Sequence, residues 1–296
     1  MSTEQIKQLI DRHMPETGLL DTALKGVQLF KVTEAVPCVP AVYDPTVVAI
    51  VSGVKEAILD GKRHVYDRHQ YMLCPMAMPV EAGTPQASPD NPLLGVMISL
   101  DPRVMRELAL EVEATAGTMR TPGGTTAQGL ALARWDAGFT DALLRLLQLL
   151  DNPVDVAVLG PGRLRELYYA VLKGDSGAAA TRAFGVGNEI ARTIDYLSTR
   201  LKEPVTIDDM ASQVGMSRAV FHRRFKEATT MSPIQFVKSM RLNNAAMKIA
   251  GGMTISEAAW DVGYVSSSQF SREFKRMYGQ SPRQWSQEAQ IPLSGV

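Results

Sequence analysis

The sequence predicts a two-domain α+β protein. An amino-terminal β-barrel or sandwich followed by helices should precede a carboxy-terminal all-α domain, built of two helix-turn-helix units joined by a long helix. Three observations predict it. Short apolar or alternating runs, broken by Ser-Gly, Asp-Gly and Pro, fill roughly residues 20–100. Strand-like alternation is absent beyond residue 188. Within that last stretch a motif occurs twice, and an internal repeat names a structural unit before any chemistry is considered.

The first domain is read from "PTVVAIVSGVKEAILDGKRHVYDRHQYMLCPMAMPVEAG", residues 45–83. Its "ILDGKRHVY" predicts a hairpin, because Asp60-Gly61 suits a tight two-residue turn. "NPLLGVMISL" supplies a further strand, and evenly spaced short strands suggest a sandwich or small barrel. From Asp101-Pro102 the pattern turns helical. "DPRVMRELALEVEA" carries proline in its first turn, "TAGTMRTPGG" reads as a loop, and "TAQGLALARWDAGFTDALLRLLQLLDNP" reads as one long helix stopped by Asn152-Pro153. Leu143, Leu146, Leu147 and Leu150 form a stripe on it that could pack on the β-domain or pair with a second subunit. "PGRLRELYYAVLKG" predicts another helix, and the glycine-rich "GDSGAAATRAFGVG" a linker. The expected organisation is a first domain over 1–174, a linker over 175–187 and a helical domain over 188–290.

In the helical domain, Val214-Gly215 recurs 48 residues on as Val262-Gly263. Phe225, Lys226 and Ser232-Pro233 recur 49 residues on as Phe274, Lys275 and Ser281-Pro282, so one residue is inserted between the two spacings. Thr206 is placed to cap a helix with Asp208 and Asp209 in its first turn, and Gly215 to close it. Ser217 caps the next helix, whose Val220, Phe221 and Phe225 face inward while Arg218, Ala219, His222 and Arg223 point outward. The second copy repeats this with Phe270 and Phe274 inward and Ser267, Ser268, Ser271 and Arg272 outward. "SPIQFVKSMRLNNAAMKIA" between them reads as a strut fixing the spacing of two reading helices. A cationic, small-polar outer face on such a helix suits a DNA groove, where Arg272 can fork onto guanine or grip phosphate.

Composition bounds the alternatives. A chain of 296 residues can hold two cores, and 45% hydrophobic with 21% charged residues argues against a disordered or fibrous chain. No apolar run approaches the ~20 residues that span a bilayer, and the polar amino terminus lacks the apolar stretch of a signal peptide, so no membrane partner and a cytoplasmic location are expected. Residues 1–187 hold 17 Lys and Arg against 21 Asp and Glu, whereas 188–296 hold 14 against 10; only the second part suits a polyanion. Two cysteines, Cys38 and Cys74, are too few for a disulfide framework or a four-ligand zinc site.

"AWDVGYVSSSQFSREFKRMYGQSPRQW" resembles the signature of AraC/XylS-type transcription regulators, over roughly residues 188–287. That family's DNA-binding domain is two helix-turn-helix units on one long helix, matching the repeat. Carried over by motif position, the resemblance implies base-facing roles for Ala219, His222, Arg223, Ser267, Ser268, Ser271 and Arg272. Ala219 would offer at most a thymine-methyl contact. Ser217, Arg218 and Ser266 would meet phosphates. Residues 45–83 and "DALLRLLQLLDNP" resemble the amino-terminal domain of one subgroup of that family, a cupin-like β-barrel followed by helices. The implied protein is no enzyme. It binds double-stranded promoter DNA and RNA polymerase, senses a small effector in its first domain and can form a homodimer.

Cupin enzymes hold a metal on clustered histidines, but His13, His64, His69 and His222 do not form such a set, so neither metal nor cofactor is expected. His64 and His69 read as partly exposed surface residues. Tyr43, Tyr66, Tyr71, Met72 and Met97 are candidate walls of an effector pocket. Cys38, between prolines in an expected loop, and Cys74, in an apolar strand, offer an alternative signal through thiol oxidation or alkylation.

Overall fold

Ten strands pair into two antiparallel sheets in the computed structural model, which describes residues 2–116, 129–185 and 187–288. The strands are β1 (Gly18–Asp21), β2 (Val27–Val32), β3 (Val36–Tyr43), β4 (Thr46–Ser52), β5 (Val54–Leu59), β6 (Lys62–Asp67), β7 (Gln70–Cys74), β8 (Met78–Thr84), β9 (Leu93–Ser99) and β10 (Ala131–Arg134). One sheet runs β1-β2-β9-β4-β7-β10 and the other β3-β8-β5-β6, so the fold is a sandwich. The predicted hairpin is β5–β6: Leu59 pairs with Lys62, and Asp60 (φ 49°) and Gly61 (φ 76°) make the turn.

One element was not anticipated and three features depart from the expectations. Residues 2–13 form a helix, α1 (Ser2–His13), whose Ile6, Leu9 and Ile10 are buried against β4 and β9. The predicted long helix before Asn152 is divided. Its first part is β10, an edge strand paired with β7 from Ala131↔Leu73 to Arg134↔Gln70. Helix α3 (Ala137–Gln148) starts only where Asp136 Oδ1 accepts from Phe139 N at 2.7 Å. The part of that segment before Gly129, and the loop expected at "TAGTMRTPGG" beyond Ala116, lie outside the described residues. Helix α4 (Pro153–Lys173) is capped by Asn152 and runs without interruption through Pro161, rather than starting there. The expected linker contains a helix, α5 (Gly177–Phe184), with Ala179, Ala180, Ala183 and Phe184 buried. Its small residues serve close approach: a side chain on Gly177 would overlap the carbonyl of Leu172.

The leucine stripe is used inside the chain. Leu143, Leu146 and Leu147 are buried, Leu150 is half-buried, and α3 packs on α4 and α1. Helix α2 (Pro102–Ala116) follows β9 as expected, its first turn held by Asp101 Oδ1 accepting from Arg103 N at 2.8 Å.

The carboxy-terminal part is helical throughout its described residues: α6 (Glu189–Ser198), α7 (Ile207–Gln213), α8 (Arg218–Thr229), α9 (Pro233–Ala250), α10 (Ile255–Asp261), α11 (Ser267–Tyr278) and α12 (Pro282–Glu288). Helix α9 is the predicted strut, and it is buried over much of its circumference. Ile234 and Met247 stay exposed, while Phe236, Leu242, Asn243, Ala246 and Ile249 are covered. One end of α9 packs with α8 and the other with α10 and α12; between them it lies on β3 and β8 of the sandwich.

Candidate nucleic-acid interface and sandwich cavity

The two reading helices are built alike. Ser217 Oγ accepts from Val220 N at the start of α8, and Ser266 Oγ from Gln269 N at the start of α11. These caps are 49 residues apart, so the extra residue of the second copy lies in its turn, where Val265 stands fully exposed. Gly215 (φ 65°) and Gly263 (φ 90°) reverse the chain at matching points, in a region that only glycine enters easily. Upstream, Thr206 caps α7 through Asp209 N, and Thr254 caps α10 in a reciprocal capping box with Glu257.

Aromatic rings hold each reading helix to its unit. Phe221 and Phe225 are fully buried, with Phe225 edge-on to Phe236 of α9 at 5.3 Å. Phe270 and Phe274 are fully buried too, between Tyr264 (5.2 Å) and Trp285 (6.2 Å). The outer faces are left to polar residues. Arg218, Ala219, His222, Arg223, Ser267, Ser268 and Arg272 are exposed, and Ser271 is half-buried. Arg218 reaches Asp208 at 3.5 Å and Arg223 reaches Glu227 at 4.0 Å. Arg272 has no paired carboxylate among the described residues. Ser217 and Ser266 spend a lone pair on capping, which leaves the hydroxyl proton for another acceptor; Ser266 Oγ also lies 2.9 Å from Ser268 Oγ.

Some residues near this face were not singled out from the sequence. Trp260 on α10 is 69% exposed, with Lys202 Nζ 4.8 Å from its ring. Asp261 takes Lys202 and, at 2.8 Å, Lys248, which ties α10 to α9 and to the segment before α7. Hydrogen bonds from Lys202 and then Lys248 hold the Asp261 carboxyl down to about 2. The acidic residue within "AWDVG" was the available signal, but its lysine partners lie 59 and 13 residues away.

A cavity of about 780 Å³ opens between the sandwich and the helical domain. Tyr43, Thr84 and Met97 line it from the strands, and Met247 and Trp285 from α9 and α12. Of the five predicted wall residues, it gathers Tyr43 and Met97 alone. Tyr71 instead stacks on Phe139 at 4.1 Å and meets Ser176 Oγ at 2.8 Å, while Met72 is buried on β7. Tyr66 lies opposite Lys55 in the β5–β6 ladder. Alternation along each strand sends neighbours to opposite faces, which a list of aromatic residues does not capture.

The cysteine expectations change as well. Cys38 lies within β3, half-buried, rather than in a loop. Burial, then Glu56 and Glu81, raise its pKa. Cys74 is fully buried and donates to Met76 O at 3.1 Å, and burial pushes its thiol far up. Neither environment favours the thiolate that oxidant or electrophile sensing requires. His64 is buried on β6 rather than surface-exposed, its pKa lowered by burial and then by Lys62, and His69 lies in the β6–β7 turn. Among the described residues, no three His, Cys, Asp or Glu gather as metal ligands.

This arrangement, a ligand-sized cavity beside two matched helix-turn-helix units, is that of a DNA-binding regulator. Residues 23–179 match the AraC-type transcriptional regulator N-terminus, and residues 210–288 match a helix-turn-helix domain. The chain belongs to the AraC family of transcription regulators. The HTH-type transcriptional regulator MtrA of Neisseria gonorrhoeae is 35% identical over 104 residues, 35% of this chain and 33% of that protein. The regulatory protein SoxS of Salmonella typhimurium is 30% identical over 94 residues, 31% of this chain and 88% of its own length. The match thus spans about a third of MtrA and most of SoxS. ToxT from Vibrio cholerae O395 shares the fold, with a TM-score of 0.52 at 12% identity over 92% of this chain and 100% of that one.

Proposed function

We propose that this AraC-type DNA-binding regulator is controlled by a small effector taken into the cavity between its two domains. One observation carries the reading: Tyr43, Thr84 and Met97 of the sandwich share a cavity wall with Met247 and Trp285 of the helical domain. A molecule filling that space would touch both the strut and the helix that packs under the second reader. It would thereby shift an existing equilibrium in how the readers are held. That ToxT has been solved with a small organic molecule bound supports the same use of the fold.

Helices α8 and α11 would enter successive major-groove faces of promoter DNA, about ten base pairs apart. Ala219, His222, Arg223, Ser267, Ser268, Ser271 and Arg272 would face base edges, with Ser217, Arg218 and Ser266 at phosphates. RNA polymerase is the further protein partner. A homodimer would form on a surface other than the leucine stripe, which α1 and α4 already cover. No catalytic residue and no cofactor belong to this reading. Among the described residues no helix is long and apolar enough to cross a membrane. A cytoplasmic location belongs to the same proposal.

The test is genome-wide recovery of DNA fragments bound by the purified protein at near-physiological salt, followed by anisotropy on the recovered sequence. A shared motif with two short elements one helical turn apart, and affinity that falls steeply with salt, are expected. Salt-insensitive binding, or no enrichment by either the full chain or a fragment of residues 188–296, would overturn it.

A further inference from the structure

A second cavity, of about 330 Å³, lies where the amino-terminal domain passes into the helical one. Arg182 enters its wall from the last turn of α5, Asn188 and Ile190 from the start of α6, Arg224 and Glu227 from α8, and Met76 from the connection between β7 and β8. The rest of the wall is alanine and glycine. It is separate from the larger cavity, which reaches α9 and α12 instead.

Two guanidiniums share this small wall without a counter-charge. Arg182 is half-buried, and its buried Nε has no acceptor among the described residues. Arg224 is exposed and has no carboxylate within ion-pair distance among those residues. Glu227, on the same wall, has Arg223 at 4.0 Å. Glu189 follows Asn188 but lies outside the wall, and its buried Oε2 meets no donor among the described residues, so it neutralises neither arginine. Packing part of a guanidinium away from water gives up hydration, and two like charges on one wall repel. A bound dianion relieves both. The planar fork of arginine fits phosphate oxygens two at a time, in bonds that charge strengthens. Asn188 makes no side-chain capping bond to α6, so its amide is uncommitted. The volume is at the small end for a ligand pocket, and no aromatic ring lines it among the described residues, so nothing there would stack on a nucleobase.

We propose that this junction is a second ligand site, for a small phosphate monoester bearing a hydroxyl group. Arg182 and Arg224 hold the phosphate, Glu227 and Asn188 meet the hydroxyl, and Met76 and Ile190 cover the short carbon body. The site goes beyond the effector reading above and does not rest on it. Arg182 stands on α5, the last helix before the helical domain, whereas Arg224 follows Arg223 on the first reading helix. One bound phosphate therefore ties the first reader to the amino-terminal part of the chain.

The test uses the full-length protein, dialysed free of phosphate, in calorimetry with glycerol phosphate, inorganic phosphate and glycerol. It compares the native chain with Arg182→Gln, Arg224→Gln, Glu227→Gln and Arg103→Gln. Arg103 is an exposed arginine of α2 outside this wall, and it controls for a general loss of surface charge. Arg224→Gln should fold as the native chain does, since its side chain is exposed, and melting curves check each variant. Glycerol phosphate is expected to bind the native chain and Arg103→Gln alike, and to bind Arg182→Gln and Arg224→Gln at least tenfold more weakly. Glycerol should not bind, and Glu227→Gln should narrow the preference for glycerol phosphate over inorganic phosphate. Amide exchange should slow at the end of α5 and the start of α6 on binding. Four results overturn the proposal: no binding by the native chain, undiminished binding by Arg224→Gln with a native melting curve, an equal loss in Arg103→Gln, or exchange slowed on the outer faces of α8 and α11 alone, which would place the phosphate on the DNA-facing surface. DNA binding by the same preparations is measured separately, so failure here leaves the regulator reading standing on its own result.

Discussion

Asn243, on the middle of the strut helix, donates from its side-chain nitrogen to the main-chain carbonyl of Ala41 in the sandwich at 2.8 Å. The same nitrogen donates to Val80 O at 2.8 Å, and the amide oxygen accepts from Tyr278 OH at 2.7 Å. One buried side chain therefore joins two strands, the strut and the second reading helix. It lies close to the wall of the cavity, which Ala41, Ala246 and Met247 help to line.

Asn243→Ala should lower stability by roughly 1–3 kcal/mol, because it orphans two sandwich carbonyls and a phenol at a site that is 2% exposed. Amide exchange should quicken in β3, β8 and α9 while the far sheet stays protected. Unchanged exchange at the β3–α9 contact would show that the apolar packing there holds the domains alone.

Arg272→Ala should relax preference at one base position or weaken specific binding by ~1–3 kcal/mol. Its side chain is exposed and unpaired among the described residues, so the native fold should be untouched. Competition against scrambled duplex separates the roles. Equal loss on specific and scrambled DNA would reduce Arg272 to a phosphate contact.

Phe270→Ala removes a fully buried ring between Tyr264 and Phe274 and should cost about 3–5 kcal/mol. The second unit has its own core, centred on Phe270, Phe274, Ala245 and Trp285, so loss is expected there first. Circular dichroism and limited proteolysis would report it. A native melting curve with intact helix content would contradict the assignment of Phe270 as an anchor.

Acid should loosen the tie between α9 and α10. Asp261 is held down to about 2 by Lys202 and Lys248, whereas an unfolded aspartate titrates near 4. Because the folded value is the lower, the stabilisation is full above about pH 4 and is lost as pH falls toward about 2. Urea denaturation across that window should show a steeper loss for the native chain than for Asp261→Asn. Parallel curves would mean that the two lysines contribute nothing to stability.

Much of the helical domain was legible in the chain because its determinants are local. Capping residues, a glycine at each turn and phenylalanines four apart specify a helix-turn-helix within ~25 residues, and the repeat confirms each copy by the other. The β5–β6 hairpin was legible for the same reason: Asp60-Gly61 closes it without help from elsewhere. The leucine stripe was legible as apolar, but not what would cover it.

What the sequence by itself determined was thus a sandwich-forming half, a pair of reading helices and the family to which they belong. Tertiary structure alone decided the rest. Residues 131–134 became an edge strand because β7 offered unpaired backbone, overriding a helical pattern. Residues 177–184 became a buried helix because Gly177 lets the chain turn tightly against Leu172. The cavity kept Tyr43 and Met97 but not Tyr66, Tyr71 or Met72, since strand alternation and register assign each side chain to a face. Lys55 is one cation among many in the linear chain. Only pairing β5 between β6 and β8 turns it inward, where its ammonium has no hydrogen-bond partner among the described residues. Groups far apart along the chain meet there through backbone ladders that no local pattern encodes.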